Sequence, residues 1–494
     1  MALPVTAHAF SWRHADRAEP AVGPLDLDIA AGEKVLLLGP SGAGKSTLLH
    51  AIAGVLPAES GEGTGEILVG GTPPDPRRGE VGVVFQDPDA QVIFSRVGDD
   101  VAFGMENLGL PAAEIEPRIT ASLAAVGLDL DHDHPTAALS GGQKQRLALA
   151  GITAMAPGVL VLDEPTANID PPSMPRIRDV VLRLQAETAA TMIVVEHRVD
   201  LWIDHVDRVI VLGRSGVVVQ GPPRRVFGDP DLAEVLAQCG IWLPGAVREP
   251  PATRRPDSPT DSRTDSAAEA VLRARHLGVG RPGALNPAVQ DLDLGIHSGE
   301  AVGIVGPNGA GKSTTALTLA GLIPEYAGEV TANGPLALGA KHARPFRWPS
   351  SFLAPRIGMV FQEPEHQFLR ATVAAELALG PRLAGWSAAE VEARVTELLR
   401  TLGLENLAEA HPQGLSGGEK RRLSVAAMLA PRPTVLVVDE PTFGQDALTW
   451  AGLVDLFIDV LDHGSAVVAV SHDHAFLDAI GARRIELGAG ALVD

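Results

Sequence analysis

The chain of 494 residues carries 40 Lys and Arg against 61 Asp and Glu, a formal charge of −21. At roughly 150 residues per domain this length allows two to three domains, each able to bury a core, and the acidic balance argues against wholesale binding to nucleic acid. Cys239 is the only cysteine, so no internal disulfide can form; the start lacks a signal-like apolar core and no run approaches ~18 apolar residues, which points to a soluble or membrane-peripheral chain.

In chain order, LDLDIAAGEKVLLLGPSGAGKSTLLHAIAG reads as an alternating strand, a Gly-Glu turn, a strand of buried type, a glycine loop and an apolar-periodic helix. The loop, with Gly39, Ser41, Gly42, Gly44, Lys45, Ser46 and Thr47, matches G-x-x-x-x-G-K-[ST] with the strand before and the helix after that the motif requires. Glycines let successive backbone N–H groups turn inward around phosphate oxygens, and the helix start adds its positive dipole end. Lys45 brings a point charge to the β and γ phosphates, and Ser46 offers a hydroxyl to Mg2+. After a short apolar run comes QDPDAQVIF from Gln86, then LSGGQKQRLALA, a serine-capped glycine turn that feeds a basic amphipathic helix. Ser140, Gly141, Gly142 and Gln143 there form a candidate second anion site. VLVLDE is a continuous apolar run ending in Asp163 and Glu164, as expected of a central parallel strand whose end opens on a ligand. Asp163 suits Mg2+, and Glu164 can polarise a water for in-line attack on a γ-phosphate. Asp170 follows, and His197 ends another buried-type strand, IVVEH.

From Leu243 to Ala270 the chain reads LPGAVREPPATRRPDSPTDSRTDSAAEA, without a period of 2 or 3.6 and with 5 Pro, 6 Ser or Thr, 4 positive and 5 negative residues. This composition is that of a flexible linker rather than a basic arm. Beyond it the first half is written again. Gly306, Asn308, Gly309, Gly311, Lys312, Ser313 and Thr314 repeat the glycine loop at an offset of 306 − 39 = 267. Gln362, the turn Ser416, Gly417, Gly418 and Glu419, and the pair Asp439 and Glu440 follow at 362 − 86 = 276, with Asp446 likewise and His472 at 275. Nine extra residues (276 − 267) therefore lie between loop and glutamine, and the proline-rich stretch Asn333 to Arg356 is their natural place. A repeat this long means two copies of a whole domain.

Loop, glutamine, LSGG[QE], Asp-Glu strand and histidine together resemble the nucleotide-binding domains of ATP-binding cassette (ABC) proteins, over nearly all of both halves. The resemblance implies two RecA-like α/β lobes, each with an antiparallel β subdomain and a helical subdomain, at 1–242 and 271–494 with the linker at 243–270. It implies ATP as substrate with Mg2+ held by Ser46, Gln86 and Asp163 and by Ser313, Gln362 and Asp439. It makes Glu164 and Glu440 the catalytic bases and His197 and His472 the switch histidines. It also implies a head-to-tail sandwich in which Lys45, Asp163 and Glu164 work with Ser416 and Gly418, and Lys312, Asp439 and Glu440 with Ser140 and Gly142, so that both ATP sites form within one chain. Trp12 in AFSWRH takes the place of the family's adenine-stacking aromatic, whereas the same offset of 267 puts Val279 there in the second half.

The repeated Q-x-P-x-x-Q, with Gln91 and Gln367 as second glutamines, and PTFGQD from Pro441 resemble the ATPases of energy-coupling factor (ECF) transporters. That likeness implies a peripheral protein on the cytoplasmic face of the membrane. Its partners would be a transmembrane coupling protein and a small substrate-binding membrane protein, with no nucleic acid, and the cargo a vitamin-like compound or transition-metal ion. The repeated stretch would then receive the coupling helices. A tandem ATPase for a sugar or other solute shares the chemistry but would not favour Q-x-P-x-x-Q. A soluble ribosome-associated tandem ABC protein would carry a long basic helical linker, which 243–270 is not.

Overall fold

The structure, a computed structural model, describes residues 1–15, 19–85, 88–166, 169, 171–213, 216–245, 270–281, 283 and 285–488. Most of the linker expected at 243–270 lies outside these residues. The chain divides into two units, Met1–Ala246 with Gly444–Leu448, and Val247–Phe443 with Thr449–Asp494.

In the first unit, strands β1 (Val5–His14), β2 (Val22–Ile29) and β4 (Gly61–Val69) form an antiparallel sheet in the order β2-β1-β4. A second sheet has the order β5-β6-β7-β3-β8-β9, from β5 (Val81–Val84), β6 (Val159–Asp163), β7 (Thr191–Val195), β3 (Lys34–Leu38), β8 (Arg208–Gly213) and β9 (Gly216–Gly221). Its first five strands run parallel and β9 returns antiparallel to β8. All five residues of VLVLD and of TMIVV are buried, which is why these strands read as unbroken apolar runs rather than alternating ones. The alternation in β2 records a sheet with one wet face. Between β5 and β6 the helices Val97–Asn107, Ala112–Ala125 and Gly141–Ala154 form the helical subdomain.

The second unit repeats the plan. β10 (Leu272–Val279), β11 (Val289–Ile296) and β13 (Ala327–Ala332) pair as β11-β10-β13. β12 (Ala301–Val305), β14 (Ile357–Val360), β15 (Val435–Asp439), β16 (Ala466–Val470) and β17 (Arg483–Glu486) pair as β14-β15-β16-β12-β17. Helices Val373–Leu383, Ala388–Thr401 and Gly417–Leu429 form its helical part. The stretch 333–356 becomes part of this unit's core. Leu336, Trp348 and Leu353 are buried in it, the Trp348 indole donates to His342 O at 2.7 Å, and the Arg356 guanidinium lies 3.6 Å from the centre of the Phe352 ring. No helix among the described residues is long and apolar enough to cross a membrane.

Candidate nucleotide sites

Each glycine loop runs from the end of a central strand, β3 or β12, into the helix Lys45–Ala53 or Lys312–Leu319. Gly44 (φ 82) and Gly311 (φ 89) cap those helices in the left-handed conformation. A Cβ at Gly44 would come 2.2 Å from Ala21 O, and one at Gly306 would come 2.3 Å from Leu487 O. Only glycine meets both demands, and the backbone can then wrap closely around a phosphate. Lys45 Nζ donates to Gly39 O (2.8 Å) and Pro40 O (3.0 Å), and Lys312 Nζ to Gly306 O (2.9 Å) and Pro307 O (3.0 Å). The ammonium groups are thus held inside their loops. Burial pulls the Lys45 ammonium below its ordinary pKa, with the Glu164 and Asp163 carboxylates pulling the other way. Ser46 and Ser313 are exposed at the helix starts, with Thr47 and Thr314 half-buried beside them.

Beside each loop, β6 and β15 deliver two buried carboxylates. Asp163 accepts from the Ser46 hydroxyl, and burial, helped by Glu164, pushes its carboxyl up to about 6. Asp439 accepts from the Ser313 hydroxyl and is likewise pushed up by burial, while its Oδ1 is buried without a hydrogen-bond partner among the described residues. A hydroxyl and a buried carboxylate with an oxygen to spare are the hard ligands that Mg2+ takes, so Ser46 with Asp163 and Ser313 with Asp439 fit that ion. Gln362 is half-buried, its backbone carbonyl accepting from the Arg421 guanidinium. Gln86 and Asp170 lie outside the described residues.

Glu164 (φ 49) and Glu440 (φ 48) both adopt a left-handed backbone that costs a non-glycine residue energy. Their N–H groups donate to Val195 O and Val470 O, both at 2.9 Å, so each turns off its strand next to the strand that carries the histidine. His197 Nε2 lies 3.3 Å from Glu164 Oε1. His472 Nε2 lies 3.8 Å from Glu440 Oε1 and 3.3 Å from Asn308 Oδ1 of the glycine loop. Burial pushes the Glu440 carboxyl up to about 7, against the His472 N–H that it accepts. A buried glutamate of this kind beside a histidine and a phosphate cradle is equipped to take a proton from water.

Ser140 and Ser416 cap the helices Gly141–Ala154 and Gly417–Leu429 through capping boxes. Their N–H groups donate at 2.8 Å to Gln143 Oε1 and Glu419 Oε2, and the fourth residue's N–H returns to the serine Oγ at 3.4 Å in both. Glutamine and glutamate interchange here because each offers an acceptor oxygen. Trp12 is 8% exposed; its indole N–H donates to His14 Nδ1 at 3.4 Å, and His14 Nε2 is 3.3 Å from Thr47 Oγ1. Val279 is buried.

Gln91 and Gln367 turn inward. Their Oε1 atoms accept from the N–H of Phe85 and Phe361, both at 2.9 Å, and Gln91 Nε2 donates to Val83 O at 3.1 Å. The residues that follow face out, Ile93 at 60% exposed, Phe94 at 38% and Leu369 at 74%. Asp100 Oδ1 accepts from the N–H groups of Ile93 and Phe94, and Glu376 Oε2 from those of Leu369 and Arg370. Sequence reasoning passed over these two carboxylates. Their signal was an acid seven residues beyond the exposed apolar position in both halves, 100 − 93 and 376 − 369.

Fold and site together define a tandem P-loop ATPase. A model of the ABC transporter family matches residues 22–167 and 289–443. An ATP-binding protein of Bacillus subtilis (strain 168) named for HMP/thiamine import, YkoD, is 35% identical over 95% of this chain and 87% of its own length. An ABC transporter ATP-binding protein of Streptomyces avermitilis is 34% identical over 96% and 91%. The solved structure of cbiO1 from Clostridium perfringens, part of the ABC transporter complex cbiONQ, is 34% identical, with 47% of this chain and 94% of that chain covered at a TM-score of 0.41. The chain belongs to the ABC transporter ATP-binding family, and its activity is ATP hydrolysis.

Proposed function

We propose that this chain, peripheral on the cytoplasmic face of the membrane, powers an ECF-type importer that takes up a vitamin-like compound or a transition-metal ion through a transmembrane coupling protein and a small substrate-binding membrane protein. The observation that carries this reading is the repeated Q-x-P-x-x-Q loop, which clasps its own strand with Gln91 or Gln367 and offers Ile93 and Phe94, or Leu369, to a partner. Solvent-facing apolar side chains held on a carboxylate-capped loop suit the end of an apolar helix better than they suit water. The relative named for HMP/thiamine import supports a vitamin-related cargo.

The division of labour follows from the side chains. The glycine loops and the two lysines bind phosphates. Ser46 with Asp163, and Ser313 with Asp439, would hold Mg2+, which when bound offsets phosphate charge. Glu164 and Glu440 accept the proton of the attacking water while His197 and His472 orient it. Replacing both glutamates, Glu164→Gln with Glu440→Gln, is expected to abolish turnover while leaving ATP binding in place; unchanged hydrolysis would remove them from the chemistry. Affinity purification of the tagged chain from its own cells in mild detergent should bring a multi-helix membrane protein and a small membrane binder. Ile93→Asp with Leu369→Asp should lose both without loss of ATP binding. Recovery of ribosomal proteins, or of no membrane protein, would overturn the transport reading.

A further inference from the structure

Glu196 stands between the apolar end of β7, Met192 to Val195, and His197, and it is buried at 5% exposed. A carboxyl group so placed needs hydrogen-bond partners. Its Oε1 accepts from the hydroxyl of Thr166, which is itself buried two residues beyond Glu164. Its Oε2 accepts from the N–H groups of His197 at 3.0 Å and Arg198 at 3.4 Å. Glu164 in turn gives its N–H to Val195 O at 2.9 Å, and its Oε1 lies 3.3 Å from His197 Nε2. The Glu196 side chain therefore closes a circuit. It runs from the turn after β6 to the end of β7, through the backbone of His197, and back along the imidazole to Glu164.

The second unit shows what happens without a carboxylate at this position. Ser471 takes the place of Glu196 and is fully buried, so the fold itself accepts a much smaller side chain there. The threonine anchor passes to Asp473 on the other side of the histidine, which accepts from Thr442 Oγ1 at 3.1 Å and from the Trp450 indole at 2.8 Å. The histidine's own N–H then goes to Glu440, at 3.3 Å, and the Ser471 hydroxyl also donates to Glu440, at 3.4 Å. There His472 Nε2 lies 3.8 Å from Glu440 Oε1. One unit thus spends a separate buried carboxyl group on holding the histidine backbone, and the other gives part of that task to the glutamate of the Asp-Glu pair.

We infer that Glu196 is a positioning residue of the first candidate site: its carboxyl group fixes the backbone of His197 and Arg198 against Thr166 and so sets the imidazole where it meets Glu164. This rests on Glu164 and His197 acting as proposed above. With Glu440→Gln silencing the second site, a burst of phosphate from the full chain saturated with Mg-ATP reports the first. In that background Glu196→Ala should slow the burst about 10- to 100-fold, the scale on which a misplacement of about 1 Å acts, while ATP affinity stays within about twofold. Glu196→Gln keeps an acceptor oxygen for the N–H groups and a polar partner for Thr166, so its burst should stay within about threefold of the parent. Glu196→Ser should be slow, and adding Arg198→Asp, which moves the carboxylate to the place of Asp473, should recover most of the loss. An unchanged burst in Glu196→Ala, an equal loss in Glu196→Gln, no recovery on adding Arg198→Asp, or a slowing matched by weakened ATP binding would overturn the assignment. A burst undiminished by Glu164→Gln or by His197→Ala would instead refute the roles of those two residues, and this inference with them.

Discussion

At the residue scale the two candidate sites share their parts and differ in one transposed charge. After β7 the chain reads Glu196-His197-Arg198, and after β16 Ser471-His472-Asp473. In the first unit the buried Glu196 accepts from the Thr166 hydroxyl and from the N–H groups of His197 (3.0 Å) and Arg198 (3.4 Å). In the second, Thr442 Oγ1 donates to Asp473 at 3.1 Å, while the His472 N–H (3.3 Å) and Ser471 Oγ (3.4 Å) donate to Glu440 itself. Burial still wins at Glu440, whose carboxyl is pushed up to about 7 with Asp439 adding to the push and Lys312 opposing it. In metal-free, nucleotide-free protein the folded state therefore keeps a proton on Glu440 that the unfolded chain loses near its ordinary value of about 4.3. Stability should fall as pH rises from about 4.3 to about 7, by on the order of 3 kcal/mol from this group, and Glu440→Gln should remove that part of the slope. Thermal melts of both proteins from pH 5 to 8 with chelator present test this, and parallel melting curves would refute it.

At the scale of elements, the helix starts hold the candidate sites. The capping boxes at Ser140 and Ser416 hold the signature turns in shape before any nucleotide arrives. Since the fourth side chain meets the serine N–H through an acceptor oxygen that both residue types carry, Gln143→Glu and Glu419→Gln should each change stability by less than about 0.5 kcal/mol in urea unfolding, whereas Ser140→Ala should cost about 1 kcal/mol. Charge swaps as costly as the alanine would mean that the cap does not account for the residue choice. These turns, the glycine loops and the Asp-Glu strands were legible in the chain because local spacing dictates them: a helix start needs its cap, and a phosphate cradle needs its glycines. That Gln91 and Gln367 turn back onto their own strands was not legible, because the partners at Phe85, Phe361 and Val83 are supplied only once the strand forms.

At the scale of the whole molecule, the question is why one chain carries two complete sets of parts. Each unit has its own loop lysine, carboxylate pair, histidine and capped signature turn. On the proposed function both ATPs serve one transport step, so the lysines cannot act independently. Lys45→Ala alone and Lys312→Ala alone should each leave well under half of the parent turnover. Covalent linkage of the halves makes their mutual concentration fixed, so turnover per chain should also stay constant on dilution. Two single variants that each retain half the activity would indicate self-contained sites. Turnover per chain that falls on dilution would indicate that a second copy is required.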